Sequence, residues 1–262
     1  MQDSPIGIFD SGVGGTSIWK EIQKLLPNED TLYLADSKNA PYGEKPKEEI
    51  VRLSRKNTEF LLRKKCKLIV VACNTATTNA ITHLRENYDL PFIGIEPAIK
   101  PAALNSKSKT VGVLATKGTL ASSLFHSTSE NHAYGIQVME QEGTGLVELI
   151  ERGELQTAKT RDLLKKFLDP MLDKGIDYLV LGCSHYPYLI PLMEELLPPH
   201  VRIIDSGEAV ARQTNAILLE RNLLNAKSGP VRHQFLSNTD NTVLKNLLFN
   251  VDAEMEFSCL TF

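Results

Sequence analysis

The feature that most constrains the fold is an internal echo. Ile6-Gly7-Ile8-Phe9-Asp10-Ser11 is repeated in character by Val111-Gly112-Val113-Leu114-Ala115-Thr116. Leu68-Ile69-Val70-Val71-Ala72-Cys73-Asn74-Thr75 is matched by Tyr178-Leu179-Val180-Leu181-Gly182-Cys183-Ser184-His185. Phe92-Ile93-Gly94-Ile95-Glu96 is matched by Arg202-Ile203-Ile204-Asp205-Ser206. The offsets are 105, 110 and 110 residues, in the same order. Each match is weak alone, but three at nearly one spacing indicate a duplicated unit. At 262 residues the chain is long for one core and comfortable for two.

Short apolar runs alternate with longer helical patterns. Strands are expected at 6–9, 31–35, 68–72, 91–95, 110–115, 135–139, 178–181 and 201–204. Most are continuous apolar runs, as parallel strands covered on both faces require. Helical patterns lie at 16–26, 47–64, 160–172 and 208–220, and Pro27 stops the first. The alternation predicts an α/β fold: two similar doubly wound, mostly parallel-sheet domains related by pseudo-twofold symmetry, with the active site in the cleft between them. The expected division is 1–97 plus 207–262 against 98–206. The tail from Arg232 reads as strand, helix, strand and is expected to complete the first domain.

Composition removes several classes. Hydrophobic residues make up 42%, and the net charge is -3. That excludes a disordered chain and gives no basic field for nucleic acid or an anionic membrane. The beginning, Met1-Gln2-Asp3-Ser4, lacks the basic and apolar regions of a secretory signal. No apolar run approaches the length that spans a bilayer. A soluble, cytoplasmic protein is expected. Cys66, Cys73, Cys183 and Cys259 show no metal-knuckle spacing and are read as free thiols.

In open α/β sheets, ligands bind beyond the carboxyl ends of the strands. Those ends carry Asp10, Ser11, Asp36, Cys73, Asn74, Thr75, Glu96, Thr116, Cys183, Ser184, His185, Asp205 and Ser206. The echo puts Cys73 and Cys183 at equivalent places, one thiol on each side of a ligand. Inverting a carbon centre needs a base on one face and an acid on the other, and an ionised and a protonated thiol can exchange those roles. A free thiol titrates at about 8.5, so neither form is remote at neutral pH. Each cysteine precedes an expected helix start, which favours a thiolate or a bound carboxylate. The turn from Asp10 to Gly15 fits neither a dinucleotide fingerprint nor a P-loop, and is read as a carboxylate or amino acid cradle of backbone N–H groups. Pro41, Tyr42 and Gly43 are expected to add donors and an aromatic wall.

Plainer readings compete. A cysteine ending an apolar strand is often filler; the paired placement reverses that for Cys73 and Cys183 but not for Cys66 and Cys259. Asp10 could simply cap a helix, and His185 could be structural. Cys183 and His185 lack the second ligand pair of a zinc site. Glu148, Glu151 and Glu154 at helical spacing read as a solvated face, and the basic run at 63–67 as a solvated helix end.

Four motifs together, Asp10-Ser11-Gly12-Val13-Gly14-Gly15, Asp36 followed by Pro41-Tyr42-Gly43, Ala72-Cys73-Asn74-Thr75-Ala76, and Gly182-Cys183-Ser184-His185-Tyr186-Pro187, resemble the glutamate racemases in order and span. The resemblance implies cofactor-independent interconversion of L- and D-glutamate for peptidoglycan synthesis, with no metal, membrane or nucleic acid needed, by a homodimer. Cys73 would serve D-glutamate and Cys183 L-glutamate. Asp10 would assist Cys73; His185, with Glu151 near it, would assist Cys183. Asp10, Ser11, Pro41, Tyr42, Gly43, Asn74, Thr75, Thr116, Thr119, Ser184 and His185 would contact substrate. Ser184 stands where the family commonly has threonine, which keeps the hydroxyl and loses a methyl. Two other readings stay open: a racemase for aspartate or another acidic substrate, and a silent binding protein for a small anionic metabolite.

Overall fold

In the computed structural model, which describes residues 2–132, 135–226 and 229–262, the strands are β1 (Ile6–Asp10), β2 (Thr31–Ala35), β3 (Leu68–Val71), β4 (Phe92–Gly94), β5 (Thr110–Ala115), β6 (Gln137–Glu142), β7 (Tyr178–Gly182), β8 (Arg202–Ile204), β9 (His233–Ser237) and β10 (Met255–Cys259). They form a six-stranded sheet ordered β10-β9-β2-β1-β3-β4 and a four-stranded sheet ordered β6-β5-β7-β8. Among the described residues every ladder is parallel. The architecture is therefore α/β with two parallel sheets.

The echo is visible in the topology. β1, β3 and β4 correspond to β5, β7 and β8, and β2 corresponds to β6, in the same spatial order. Strand order reverses beside β1 in one sheet and beside β5 in the other, and this reversal opens a crevice at the carboxyl ends. Asp10 and Cys73 lie at one crevice, Thr116 and Cys183 at the other.

The central strands are apolar throughout because both faces are covered. Every residue of β1, β3 and β5 is buried. Each large apolar side chain so buried contributes about 1.5–3 kcal/mol. The helix Thr16–Leu25 buries Thr16, Ile18, Trp19 and Ile22 on one face. Trp19 meets Phe235 of β9 edge-on at 4.8 Å and donates to Thr31 Oγ1 at 2.9 Å. Thr31 Oγ1 also pairs with His233 Nδ1 at 2.9 Å. These contacts seat the returning tail against β2. One buried apolar cluster runs from Val13, Ile18 and Trp19 to Leu146, Ile150, Leu181 and Tyr186, so the two halves share a core.

Two expectations need correction. The strand placed at 135–139 begins at Gln137 and runs to Glu142. Gly135 has φ +72, a left-handed turn residue, and the polar Glu140, Gln141 and Glu142 pair with β5 although they break the apolar run. The basic run at 63–67 is not uniformly solvated. Arg63, Lys64 and Lys65 are exposed, but the chain turns inward, and Lys67 is buried. Its Nζ pairs with Glu29 Oε2 at 2.5 Å and donates to the Gln2 carbonyl at 2.7 Å. Glu29 Oε1 accepts from Asn225 N at 2.7 Å. This ion pair and its hydrogen bonds pin four separated segments at the end of the sheet opposite the cysteines. Removing one member of a buried pair strands the other charge, at a cost of about 3–5 kcal/mol. Lys67→Met is expected to lower unfolding free energy by that amount in denaturant titration; a loss below about 1 kcal/mol would contradict the assignment.

Candidate active site

Both central thiols are buried, Cys73 at 4% and Cys183 at 6% exposure. Cys73 follows β3 and caps the helix Asn74–Asn87, its sulfur accepting from Ala76 N at 3.4 Å. It also donates to Ser11 Oγ at 3.7 Å. Cys183 follows β7 and lies 3.8 Å from His185 Nδ1. A helix start directly after each cysteine holds only for Cys73. After Cys183 the chain makes a turn and a short 3-10 segment, Tyr186–Leu189, before the helix Ile190–Leu196. Pro187 and Pro191 have no N–H to give an immediate α-helical ladder.

The Asp10–Gly15 turn is a carboxylate cradle, but the carboxylates in it are the chain's own. Gly15 N donates to Asp10 Oδ2 at 2.8 Å, and Val13 N donates to Glu151 Oε1 at 2.6 Å. Glu151 also accepts from Ser37 Oγ at 2.8 Å and pairs with His185 Nε2 at 2.6 Å. It is turned onto this site rather than presented to solvent as its spacing suggested. Ser184 Oγ donates to Asp10 Oδ1 at 3.2 Å, and His185 Nδ1 lies 3.9 Å from Asp10 Oδ2. Asp10, Glu151, Ser184 and His185 thus form one network across the two halves. The glycines permit it by bulk alone. A Cβ at Gly12 would lie 1.9 Å from Glu151 Oε1, and one at Gly14 would lie 2.2 Å from His185 Nδ1.

The remaining site residues assemble around this network. Thr75 Oγ1 meets Thr116 Oγ1 at 2.8 Å and Thr119 Oγ1 at 3.4 Å, and the last two are 3.0 Å apart. This triangle bridges the halves a second time. Gly43 packs on Thr116, where a Cβ would lie 2.7 Å from Thr116 Cβ. Tyr42 is buried and donates to Asp36, so its hydroxyl is already engaged. Pro41 and Gly43 border a small cavity with Thr116, Glu142 and Val147. Both polar atoms of the Asn74 side chain are buried without a hydrogen-bond partner. A buried amide in that condition is destabilising unless something fills its donor and acceptor.

Burial sets the electrostatics. It pushes the Cys73 thiol well above its ordinary range, and the Asp10 carboxylate pushes the same way, outweighing the Ala76 N–H and the Ser11 hydroxyl. The helix start therefore does not make Cys73 a resting thiolate, against the sequence expectation. Burial also raises Asp10, with His185 and the Gly15 N–H pulling back. Burial works to lower His185, but its hydrogen bonds to Cys183 and Glu151 and the Asp10 charge hold it well above the usual imidazole value. One side of the site thus carries a protonated Cys73, and the other a proton-holding His185 beside Cys183.

The family model of the Asp/Glu/Hydantoin racemases matches residues 6–214. The chain belongs to that family. A glutamate racemase of Herpetosiphon aurantiacus is 47% identical over 240 residues, 92% of this chain and 94% of that protein. The solved glutamate racemase isoform RacE1 of Bacillus anthracis superposes with TM-score 0.87 at 30% identity, covering 100% and 99% of the two chains. The Escherichia coli glutamate racemase, solved with L-glutamate and the activator UDP-MurNAc-ala, gives TM-score 0.83 at 36% identity over 99% and 100%. The chain is an isomerase of the glutamate racemase type.

For a racemase the arrangement is apt, since hydrogen bonds join Asp10, Glu151, Cys183, Ser184 and His185 in one network, Cys73 to Ser11, and Thr75 to Thr116 and Thr119. Sequence reasoning missed the outer supports. Ser17 Oγ donates to the Ser184 carbonyl at 2.8 Å, Thr16 Oγ1 meets Tyr188 OH at 2.5 Å, and Tyr33 OH donates to the Gly12 carbonyl at 2.8 Å. Only their nearness to the motifs signalled them. Among the described residues no group of three or more His, Cys, Asp or Glu side chains is placed to hold a metal ion, and no helix is long and apolar enough to cross a membrane.

If the glycine turn docks His185, Gly14→Ala forces the halves apart and opens the thiols. Labelling of Cys73 and Cys183 by a thiol reagent should accelerate at least about tenfold, the equivalent of 1.4 kcal/mol lost from closure. Labelling of the exposed Cys259 is the internal control. Unchanged labelling of the two buried thiols would contradict the docking role.

Proposed function

We propose that this isomerase interconverts L- and D-glutamate by two-thiol proton transfer without a cofactor. The observation that carries the reading is the burial of two free thiols at equivalent strand ends, close enough that the charge of Cys183 is felt at Cys73. The naming of its relatives as glutamate racemases supports the substrate. So does a structural neighbour from Francisella tularensis, solved in complex with D-glutamate and 28% identical with TM-score 0.85.

In this reading the lobes are 1–97 with 207–262 and 98–206. Asp10 draws the proton from Cys73, the thiolate so formed takes the α-proton of D-glutamate, and the C–H electron pair stays on the carbon. Cys183 then delivers a proton to the opposite face and is left as the thiolate. From L-glutamate the roles reverse. His185 holds or returns the proton at Cys183 through Nδ1, and Glu151 orients its ring through Nε2. Asp10 and Ser11 take the ammonium group. The orphaned Asn74 amide suits an amino acid, since one atom accepts from an ammonium and the other donates to a carboxylate. Thr75, Ser184 and the threonines at 116 and 119 complete the donors, and Pro41, Tyr42 and Gly43 close the side-chain end. Burial excludes water from the developing carbanion and strengthens each donor. The same reading assigns a cytoplasmic homodimer that supplies D-glutamate for peptidoglycan.

The mechanism predicts distinct outcomes in deuterated water. Cys73→Ser and Cys183→Ser should each cut racemisation by about 10²–10⁴, the range of a single acid–base group. The Cys183 variant should still exchange the α-proton of D-glutamate, and the Cys73 variant that of L-glutamate, followed by NMR. Full racemisation by either variant would sink the two-thiol mechanism. Faster turnover of aspartate than glutamate would sink the substrate.

A further inference from the structure

We infer that Asn238, contributed by the carboxyl-terminal tail, is a positioning residue for the reaction, holding the loop that carries Pro41, Tyr42 and Gly43. The inference rests on the proposed role of that loop against substrate. The family model ends at residue 214, so Asn238 lies outside the segment it describes. β9 pairs in parallel with β2, with Ser237 opposite Ala35. That register brings Asn238 level with Asp36, just past the carboxyl end of β2.

Three contacts join the tail to the loop. Asn238 Nδ2 donates to Asp36 Oδ1, Asn238 Oδ1 accepts from Lys38 N at 2.8 Å, and Asn238 N donates to the Ala35 carbonyl at 3.4 Å. Both ends of the amide are committed, so its orientation is fixed. Asp36 is fully buried, and among the described residues no Lys or Arg forms an ion pair with it. Its carboxyl group is held by neutral donors: Asn39 Nδ2 at 2.8 Å, Asn238 Nδ2, and Tyr42 OH on the other oxygen. Asn57 Nδ2 supports Tyr42 OH from behind at 3.1 Å. Asp36 N also donates to the Asp10 carbonyl at 3.1 Å. A buried carboxylate held only by neutral donors is sensitive to losing any one of them. Releasing Asp36 releases Tyr42, and with it the seating of Gly43 on Thr116.

Asn238→Asp keeps the shape and the acceptor for Lys38 N but sets a second carboxylate against Asp36. KM for both glutamate enantiomers should rise about tenfold with kcat within about threefold, the scale of one charge-assisted hydrogen bond. The thermal midpoint should stay near that of the parent protein. The double variant Asp36→Asn with Asn238→Asp restores a donor–acceptor pair and should recover part of the KM. Hydrogen–deuterium exchange over 36–45 should rise in Asn238→Asp and not in the double variant. An active parent protein with unchanged KM and unchanged loop exchange in Asn238→Asp overturns the inference. So does a fall in kcat and thermal midpoint together that the double variant leaves uncorrected. If the parent protein is inert towards glutamate, the functional reading fails instead, and the exchange measurement still decides whether Asn238 holds the loop.

Discussion

The structure depends on a close approach. His185 and Glu151, from the second half of the chain, press into a turn of the first half at glycines that have no side chains to resist them. Gly12 and Gly14 leave that room, and the Val13 N–H greets the Glu151 carboxylate at 2.6 Å. From this one contact the rest of the site follows. Glu151 orients His185, His185 reaches Cys183, and Ser184 is brought onto Asp10. The threonine triangle at 75, 116 and 119 closes the opposite side.

Duplicating one α/β unit yields two crevices that can face each other, but not two identical ones. The thiols differ in what surrounds them. Cys73 sits on a helix N-terminus in the field of the Asp10 carboxylate, while Cys183 sits in a turn beside an imidazole. The repeat thus supplies mirror placement, and the neighbours make each side chemically distinct. That combination is what inversion of a carbon centre asks for, since the planar carbanion left when a proton departs must be reprotonated on the opposite face by a different group.

Much of this was legible in the sequence because it was local or periodic. The apolar runs marked buried parallel strands, and the echo predicted two similar units with matching cysteines. Residues just past strand ends were found for the same reason. What was not legible depends on contacts between distant segments. The glycines at 12 and 14 read as a backbone cradle for a ligand, whereas they make way for side chains 138 and more residues away. By spacing alone Glu151 looked like one of three solvated carboxylates, and only the family resemblance set it near His185; Lys67 looked like the end of a basic run until the fold gave it a buried partner. Asn238 carries no motif; only the register of β9 on β2 reveals it.

The central claim is that one carbon lies between two thiols. A crystal structure of the protein with D-glutamate bound tests it most directly. The account predicts the α-carbon between the Cys73 and Cys183 sulfurs, on opposite faces, each at a near-attack separation of about 3–3.5 Å. An α-carbon reached by one sulfur only, or both sulfurs on the same face, would contradict it.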